Sequence, residues 1–309
     1  MKQIILFTFF ILFFVLTAYP ETSRFDINRV SFFISPKILN DGSITDIGIG
    51  FNYTKNLFGN LRFRSTMISK NEELQDVSDS LNTVNEKVYD FYLTPIEYHF
   101  LNTSNTNFKV GGGVFYQYSK LNEKGFFNMP ILESLTPPKE RVNSYKNDFS
   151  MHLLGPLIEL GLSYNSDWFN ISIYGGITPI FLLNSSQKLK IEPLFANNAE
   201  YSQNTWGSPY FYVGIDSIIF KYINIIILYD FAKINYKIID FDNSLNWINP
   251  EREVTSQSLK LEASLNIPLG NMFAQIGYGF TFDFTKFNND PTIIGNKKYI
   301  IFTAKKNYN

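Results

Sequence analysis

The sequence predicts an all-β fold, a transmembrane antiparallel up-and-down β-barrel of about twelve strands with roughly ten to fourteen in range, and three observations carry it. The first is alternation. In "SLKLEASLNIPLGNMFAQIGYGFTFDF", Ser258 to Phe284, residues Leu259, Leu261, Ala263, Leu265 and Ile267 share one face, while Ser258, Lys260, Glu262, Ser264 and Asn266 share the other. The same two-residue period resumes after a short turn at Pro268 to Asn271. Such a period is a strand with one dry face and one wet face. The second observation is connection length. "TKNLFG", "LNTSNT", "NSD", "KY" and "PLGN" are short, whereas 71 to 86, 122 to 149, 184 to 207, 241 to 254 and 286 to 296 are long and polar. Turns therefore gather at one end of an up-and-down chain and loops at the other. The third is that, beyond the N-terminal segment, no run approaches the roughly 18 consecutive apolar residues of a membrane helix.

The N-terminus reads as an export signal over residues 1–18, leaving 19–309 for the barrel. After Lys2 no charge occurs until beyond Pro20, and "IILFTFFILFFVL" forms an apolar core shorter than the roughly 20 residues that span a bilayer. Small residues Thr17 and Ala18 follow it, as at a cleavage site. The 309-residue chain has no cysteine, which excludes disulfides, thiolate metal sites and a lipidated cysteine. Lys plus Arg (27) nearly balances Asp plus Glu (28), so no long-range field points to nucleic acid. No cofactor and no metal site are expected.

The strands are centred in 28 to 35, 44 to 54, 60 to 70, 87 to 100, 107 to 121, 150 to 164, 168 to 183, 208 to 220, 222 to 236, 255 to 267, 271 to 285 and 297 to 306. An even number returns both termini to the side of the short turns. Energetics then sets the faces, because Lys or Arg at the bilayer midplane costs roughly 2–4 kcal/mol on a barrel exterior. Arg62, Arg64, Lys109 and Lys260 must therefore face inward or lie near a rim. With Lys109 inside, Asn107, Gly111, Gly113, Gln117 and Ser119 follow it, and Phe108, Val110, Val114, Tyr116 and Tyr118 face out. With Glu159 inside go Gly161 and Ser163, and Leu154, Ile158, Leu160, Leu162 and Tyr164 meet lipid. Asp46, Gly48, Gly50 and Asn52 oppose Ile47, Ile49, Phe51 and Tyr53, and Asp216 and Gly214 oppose Phe211, Val213, Ile215 and Ile219. Glycine recurs on the polar face, where it leaves room for larger neighbours.

Two strands resist this pattern. In "KVYDFYLTPIEYHF" the polar residues Asp90 and Thr94 lie on one parity and Glu97 and His99 on the other, so a bulge is expected near Pro95. In "YINIIILYDFAKINYKII" the apolar phase changes after Phe231, where the strand is expected to leave the membrane.

Chemistry-bearing motifs are few. Ser150 and His152, two apart on a lipid-facing parity, resemble the His and Ser of outer-membrane phospholipases, but in reversed order and with no partner to orient the His. "DFDNSLNWINPE" echoes a calcium loop, with Leu245 where the sharp turn requires glycine. An enzyme is not expected. In the loop 121 to 148, Phe126, Phe127, Met129, Ile131, Leu132 and Leu135 are too apolar to lie free in water, so the loop either folds into the barrel mouth as a constriction or packs on neighbouring loops or a partner.

The segment "YLTPIEYHFLNTSNTNFKVGGGVFYQY", Tyr92 to Tyr118, resembles the hairpins of small porin-like and opacity-type bacterial outer-membrane barrels. A Pro-containing strand there ends in aromatics, turns, and restarts into a Gly-rich strand. The wealth of Asn, Lys, Ile, Phe and Tyr is similar to that of spirochaetes and other AT-rich genomes. The resemblance implies a Gram-negative cell outer membrane, lipid around the barrel and small polar solutes within it. Asp46, Arg62, Arg64, Lys109, Glu159, Asp216, Lys260, Glu262 and Asp283 are then the lumen-lining charges of a narrow channel. The alternative is a plugged barrel acting as a surface adhesin or structural protein through its loops, in which those charges pair.

Overall fold

Hydrocarbon offers no hydrogen-bond partner, so a strand that crosses it must have every backbone N–H and C=O paired by its neighbours. The chain meets this requirement by closing a sheet on itself. The structure, a computed structural model, describes residues 30–54, 56–73, 81–101, 103, 105–128, 142–192, 195–207, 209–237, 251–269, 272–287 and 293–306. Its strands are β1 (Val30–Leu39), β2 (Gly42–Thr54), β3 (Leu57–Glu73), β4 (Leu81–His99), β5 (Thr106–Asn128), β6 (Val142–Asn165) and β7 (Phe169–Thr178). There follow β8 (Phe181–Glu192), β9 (Phe195–Gly207), β10 (Tyr210–Ile219), β11 (Ile223–Lys237), β12 (Glu251–Leu269), β13 (Met272–Phe287) and β14 (Ile293–Lys306).

These segments make a closed antiparallel barrel of twelve staves. β7 and β8 pair with successive halves of β6 and form one stave, bent at Pro179 and Ile180. β9 and β10 form the next, bent in step with it. The bend resets parity, since Thr178 and Phe181 both point inward and are fully buried. Closure comes from β1 pairing with β14 and β5 with β6. Among the described residues no helix is long and apolar enough to cross a membrane.

Side chains are distributed inside out. Leu160 and Leu162 are 51% and 47% exposed on the outer wall, whereas Asp46 is 2% and Lys37 4% exposed inside. A water-soluble domain arranges the reverse. Only a lipid environment makes this arrangement favourable, and the barrel is transmembrane.

The bulge expected near Pro95 is present. Pairing of β4 with β5 shifts between Leu93 and Ile96, and pairing with β3 shifts between Phe58 and Asn60. The extra residue turns Asp90 and Thr94 on one side of the bulge, and Glu97 and His99 on the other, into the same lumen. β11 runs on to Lys237 without losing its register on β12. Ile234 is an inward residue packed near Leu153, Phe181 and Leu183, so the change of phase marks an apolar layer inside the barrel.

The long connections are corrected in extent. β5 and β6 stay paired from Thr106↔Tyr164 to Asn128↔Val142, and β8 and β9 carry the wall through most of 184 to 207. Strands that rise beyond lipid are wet on both faces, so they lack the alternation that marks a strand in sequence. The turn at "KY" joins β10 to β11 with Phe220 at φ 51° and Lys221 at φ 65°, the two positive values that a type I′ hairpin requires. Residues 1–18 and the calcium-like loop up to Pro250 lie outside the described residues.

Replacing Leu160 by Arg is expected to lower stability in lipid vesicles by about 2–4 kcal/mol. Gln117→Arg, whose wild-type Nε2 donates to Asp90 at 2.8 Å inside the barrel, should cost far less. Urea titration followed by heat-modifiable gel migration compares the two, and equal losses would refute the assignment of faces.

Candidate functional site

Charges that cannot enter lipid converge in the lumen, and their neighbours follow from strand register. Asp46 lies opposite Arg64, Arg64 opposite Asp90 and Asp90 opposite Gln117, an inward row of alternating sign across β2 to β5. The Asp46 carboxylate accepts from Arg64 Nε at 2.7 Å and lies 3.0 Å from Lys37 Nζ and 3.6 Å from Arg62 Nη2. Lys37 also donates to Glu262 at 2.7 Å, although β1 and β12 are separated in the ring by β14 and β13. Glu262 further meets Lys260 at 3.1 Å and accepts from the Tyr299 hydroxyl at 2.9 Å. One ammonium thus joins two carboxylates across the inner wall.

A second cluster sits toward the end with the short turns. Glu97 accepts from Lys109 Nζ at 2.9 Å and lies 2.8 Å from His99 Nε2. Asn107 Nδ2 lies 2.8 Å from His99 Nδ1, and Phe58 stacks on the imidazole at 4.0 Å. Glu159 on β6 accepts from Thr94 of β4 and Tyr212 of β10, so two reaches within the lumen end on one carboxylate.

Toward the hairpin end the lumen becomes aromatic and then apolar. Tyr92 and Tyr210 hydroxyls are 3.3 Å apart, one donating to the other, and Phe115 stacks on Tyr210 at 5.0 Å. Beyond them Leu153, Phe181 and Leu183 form a cluster with Met151 and Ile234. On another sector Leu39, Tyr299 and Ile301 pack with Ile44. Glycines supply the space. A Cβ at Gly214 would lie 2.6 Å from Tyr174 Cζ, one at Gly176 2.6 Å from Tyr212 Cε1, and one at Gly279 2.3 Å from Tyr299 Cε2. Each large inward ring lies over a residue without a side chain on the next strand.

Three cavities lie along this lumen. One of about 410 Å³ at the turn end is bounded by Trp168, Lys221, Tyr222, Gln275 and Lys305. It shares Gln275 and Lys305 with a second of about 210 Å³, lined by Lys37, Arg62, Asp216, Asn224 and Glu262 among others. The second shares Phe33, Arg62 and Tyr174 with a third of about 200 Å³, which reaches Tyr92, Glu97, Lys109 and Glu159.

Asp46, Arg62, Arg64, Lys109, Glu159, Asp216, Lys260, Glu262 and Asp283 all lie on inward faces; Asp283 pairs with Lys297 at 3.1 Å. Arg62 and Arg64 pair with Asp46, Lys260 with Glu262, and Lys109 with Glu97. Lys37, Asp90, Glu97, Tyr92, Tyr174, Tyr210 and Tyr212 were not singled out. The parity rule would have found several of them, since Tyr210 and Tyr212 share the face of Asp216, and Phe115 that of Lys109. Phe126 and Phe127 lie on β5, in register with Ser144 and Asn143, and Met129, Ile131, Leu132 and Leu135 fall outside the described residues. Ser150 and His152 are on the outer face; Ser150 bonds to Ser186 at 2.9 Å and His152 to Tyr116 at 2.9 Å, on opposite neighbours. Among the described residues no cluster of His, Cys, Asp and Glu suits a metal.

No protein-family model and no curated protein matches the chain. Solved structures similar to it include the toluene transporter TodX of Pseudomonas putida, at 9% identity, covering 95% of this chain and 93% of that one, with a TM-score of 0.48. The translocator domain of the autotransporter NalP from Neisseria meningitidis has 9% identity, 89% and 86% coverage and a TM-score of 0.44. The outer-membrane protease OMPT from Escherichia coli has 10% identity, 90% and 93% coverage and a TM-score of 0.36. Scores at this level carry no argument about what this chain does. Its own geometry defines a class: a transmembrane β-barrel whose lumen is crossed by paired charges and stacked rings.

Asp46→Asn is expected to destabilise the barrel by about 3–5 kcal/mol, because Arg62 and Arg64 then lose the carboxylate they pair with and Lys37 keeps only Glu262. Urea unfolding in vesicles tests this, and a loss below about 1 kcal/mol, the range of an exposed surface pair, would show the network to be incidental.

Proposed function

We propose that the protein is a bacterial outer-membrane barrel that passes small polar solutes along a narrow bore closed by side chains. In this orientation the short turns and the termini face the periplasm and the long hairpins face outward. The observation that carries the reading is the sequence of three linked cavities. They run from the turn-end mouth to Tyr92, and charged groups such as Lys37, Arg62, Glu97, Lys109 and Glu262 stand among the apolar side chains that line them. Beyond Tyr92 its hydrogen bond with Tyr210, and then the apolar cluster of Leu153, Phe181 and Leu183, close the bore. An eight-stranded barrel is filled by side chains and one of 16 strands leaves an open channel, so twelve staves suit such a partial closure. The mixed signs along the path imply weak ion selectivity.

A second reading is favoured by the ion pairs themselves. Lys37 held between Asp46 and Glu262 is what a plugged barrel requires, in which the long hairpins would carry an adhesive or structural role toward a partner outside the cell. Neither reading uses Ser150 and His152 for hydrolysis; they are rim residues.

Planar-bilayer recording of the refolded chain separates the two. Small discrete steps that grow severalfold in the double variant Tyr92→Ala, Tyr210→Ala are expected for the pore. Silence from both proteins, each shown to be folded by heat-modifiable migration, would sink it and leave the plugged barrel.

A further inference from the structure

The cavity of about 210 Å³ holds an asymmetry that the ion pairs do not explain. Three buried polar atoms on its lining have no hydrogen-bond partner among the described residues: Arg62 Nε, Asp216 Oδ1 and Asn224 Oδ1. Asn224 is 4% exposed. Their positions in the ring are opposed. Counting staves from β1, Arg62 is on the third, Asp216 on the eighth and Asn224 on the ninth of twelve, so Arg62 and Asn224 are diametrically placed. A donor on a cation thus stands on one wall, and two acceptors, one of them on a carboxylate, stand on the other.

The remaining charges of the cavity reinforce the division. Lys37, Asp46, Lys260 and Glu262 are joined to one another, whereas Asp216 and Lys305 are in no ion pair among the described residues. Around the network four cations (Lys37, Arg62, Arg64, Lys260) meet three carboxylates (Asp46, Glu262 and Asp90, which lies opposite Arg64), and Asp216 and Asn224 stand outside these pairs. A ligand that answers both walls carries a positive donor at one end and a negative acceptor at the other. An ammonium offers three donors to Asp216 and Asn224, and a carboxylate accepts a charge-assisted bond from the guanidinium. Against the roughly 10–15 Å³ of cavity space that one water needs, the cavity has room for a small organic solute, a free amino acid included.

We propose that this cavity is a binding subsite for small zwitterions of the α-amino-acid class, with the ammonium on Asp216 and Asn224 and the carboxylate on Arg62. The inference rests on the pore reading for how such a solute arrives, and names the solute. A neutral polyol would satisfy the hydrogen bonds but bring no charge to either wall; a simple anion or cation would answer one wall.

The test is equilibrium dialysis of radiolabelled glycine against the refolded full chain in detergent. One saturable site per chain is expected, competed by L-serine but not by acetate, glycinamide or glycerol at the same concentration. Asp216→Asn and Asn224→Leu should each weaken binding about tenfold or more. Absence of saturable glycine binding by folded protein, or equal competition by glycerol or acetate, overturns the proposal even if neither variant folds. Conductance of the same preparations keeps the two claims apart. Steps without zwitterion binding would remove the subsite and leave the pore; binding without steps would keep the subsite and remove the pore.

Discussion

Everything in this molecule depends on one constraint, that the solvent around its midsection cannot hydrogen-bond. Backbone groups must then be paired within the sheet, which forces closure through β1 with β14 and β5 with β6. Charged side chains must also turn away from the wall. Once Lys37, Arg62, Arg64, Lys109 and Lys260 are sent inward, carboxylates must go with them, because an unpaired buried charge costs far more than a paired one. The polarity of the lumen is a consequence of the polarity of the surroundings, whatever the protein transports.

A lumen of this diameter cannot accommodate every inward side chain at full size. The chain resolves this by setting glycine beside the largest rings, as Gly214 beside Tyr174 and Gly279 beside Tyr299, and by letting long side chains reach across staves. Lys37 reaching Glu262, and Tyr92 reaching Tyr210, are two such chords, tying strands that are not neighbours in the sheet. They brace the barrel and narrow its bore at once. In the proposed pore, stability and permeability are therefore set by the same residues of the twelve-stave barrel.

The inner and outer walls were legible in the sequence because lipid imposes a two-residue period. Glu159 against Leu160, or Glu262 against Leu261, can be assigned by parity alone. The bulge at Pro95 was legible for the same reason, since Asp90 and Glu97 could share a lumen only if a residue were inserted between them. Where the period carries two meanings, parity alone does not decide. The change of phase after Phe231 is of this kind, because an apolar residue inside a barrel, such as Ile234, looks in sequence like an apolar residue outside it. The hairpin walls above the lipid were read as loops because neither parity of "NSSQKLKIE" keeps an apolar face: one is polar throughout and Ser185 and Gln187 interrupt the other. Pairing of Lys37 with Glu262, 225 residues apart, has no local signal at all. Nor has the opposition of Arg62 to Asn224, which exists only once the ring is closed.

The most direct test of the account is the environment of successive residues along β6. The chain has no native cysteine, so single cysteines at Ile158, Glu159, Leu160, Gly161, Leu162 and Ser163 can carry an environment-sensitive fluorophore in vesicles containing brominated lipid. The account predicts quenching at 158, 160 and 162 and little at 159, 161 and 163. Uniform quenching, or strong quenching at Glu159 and weak at Leu160, would contradict a lipid-facing apolar wall around a charged lumen.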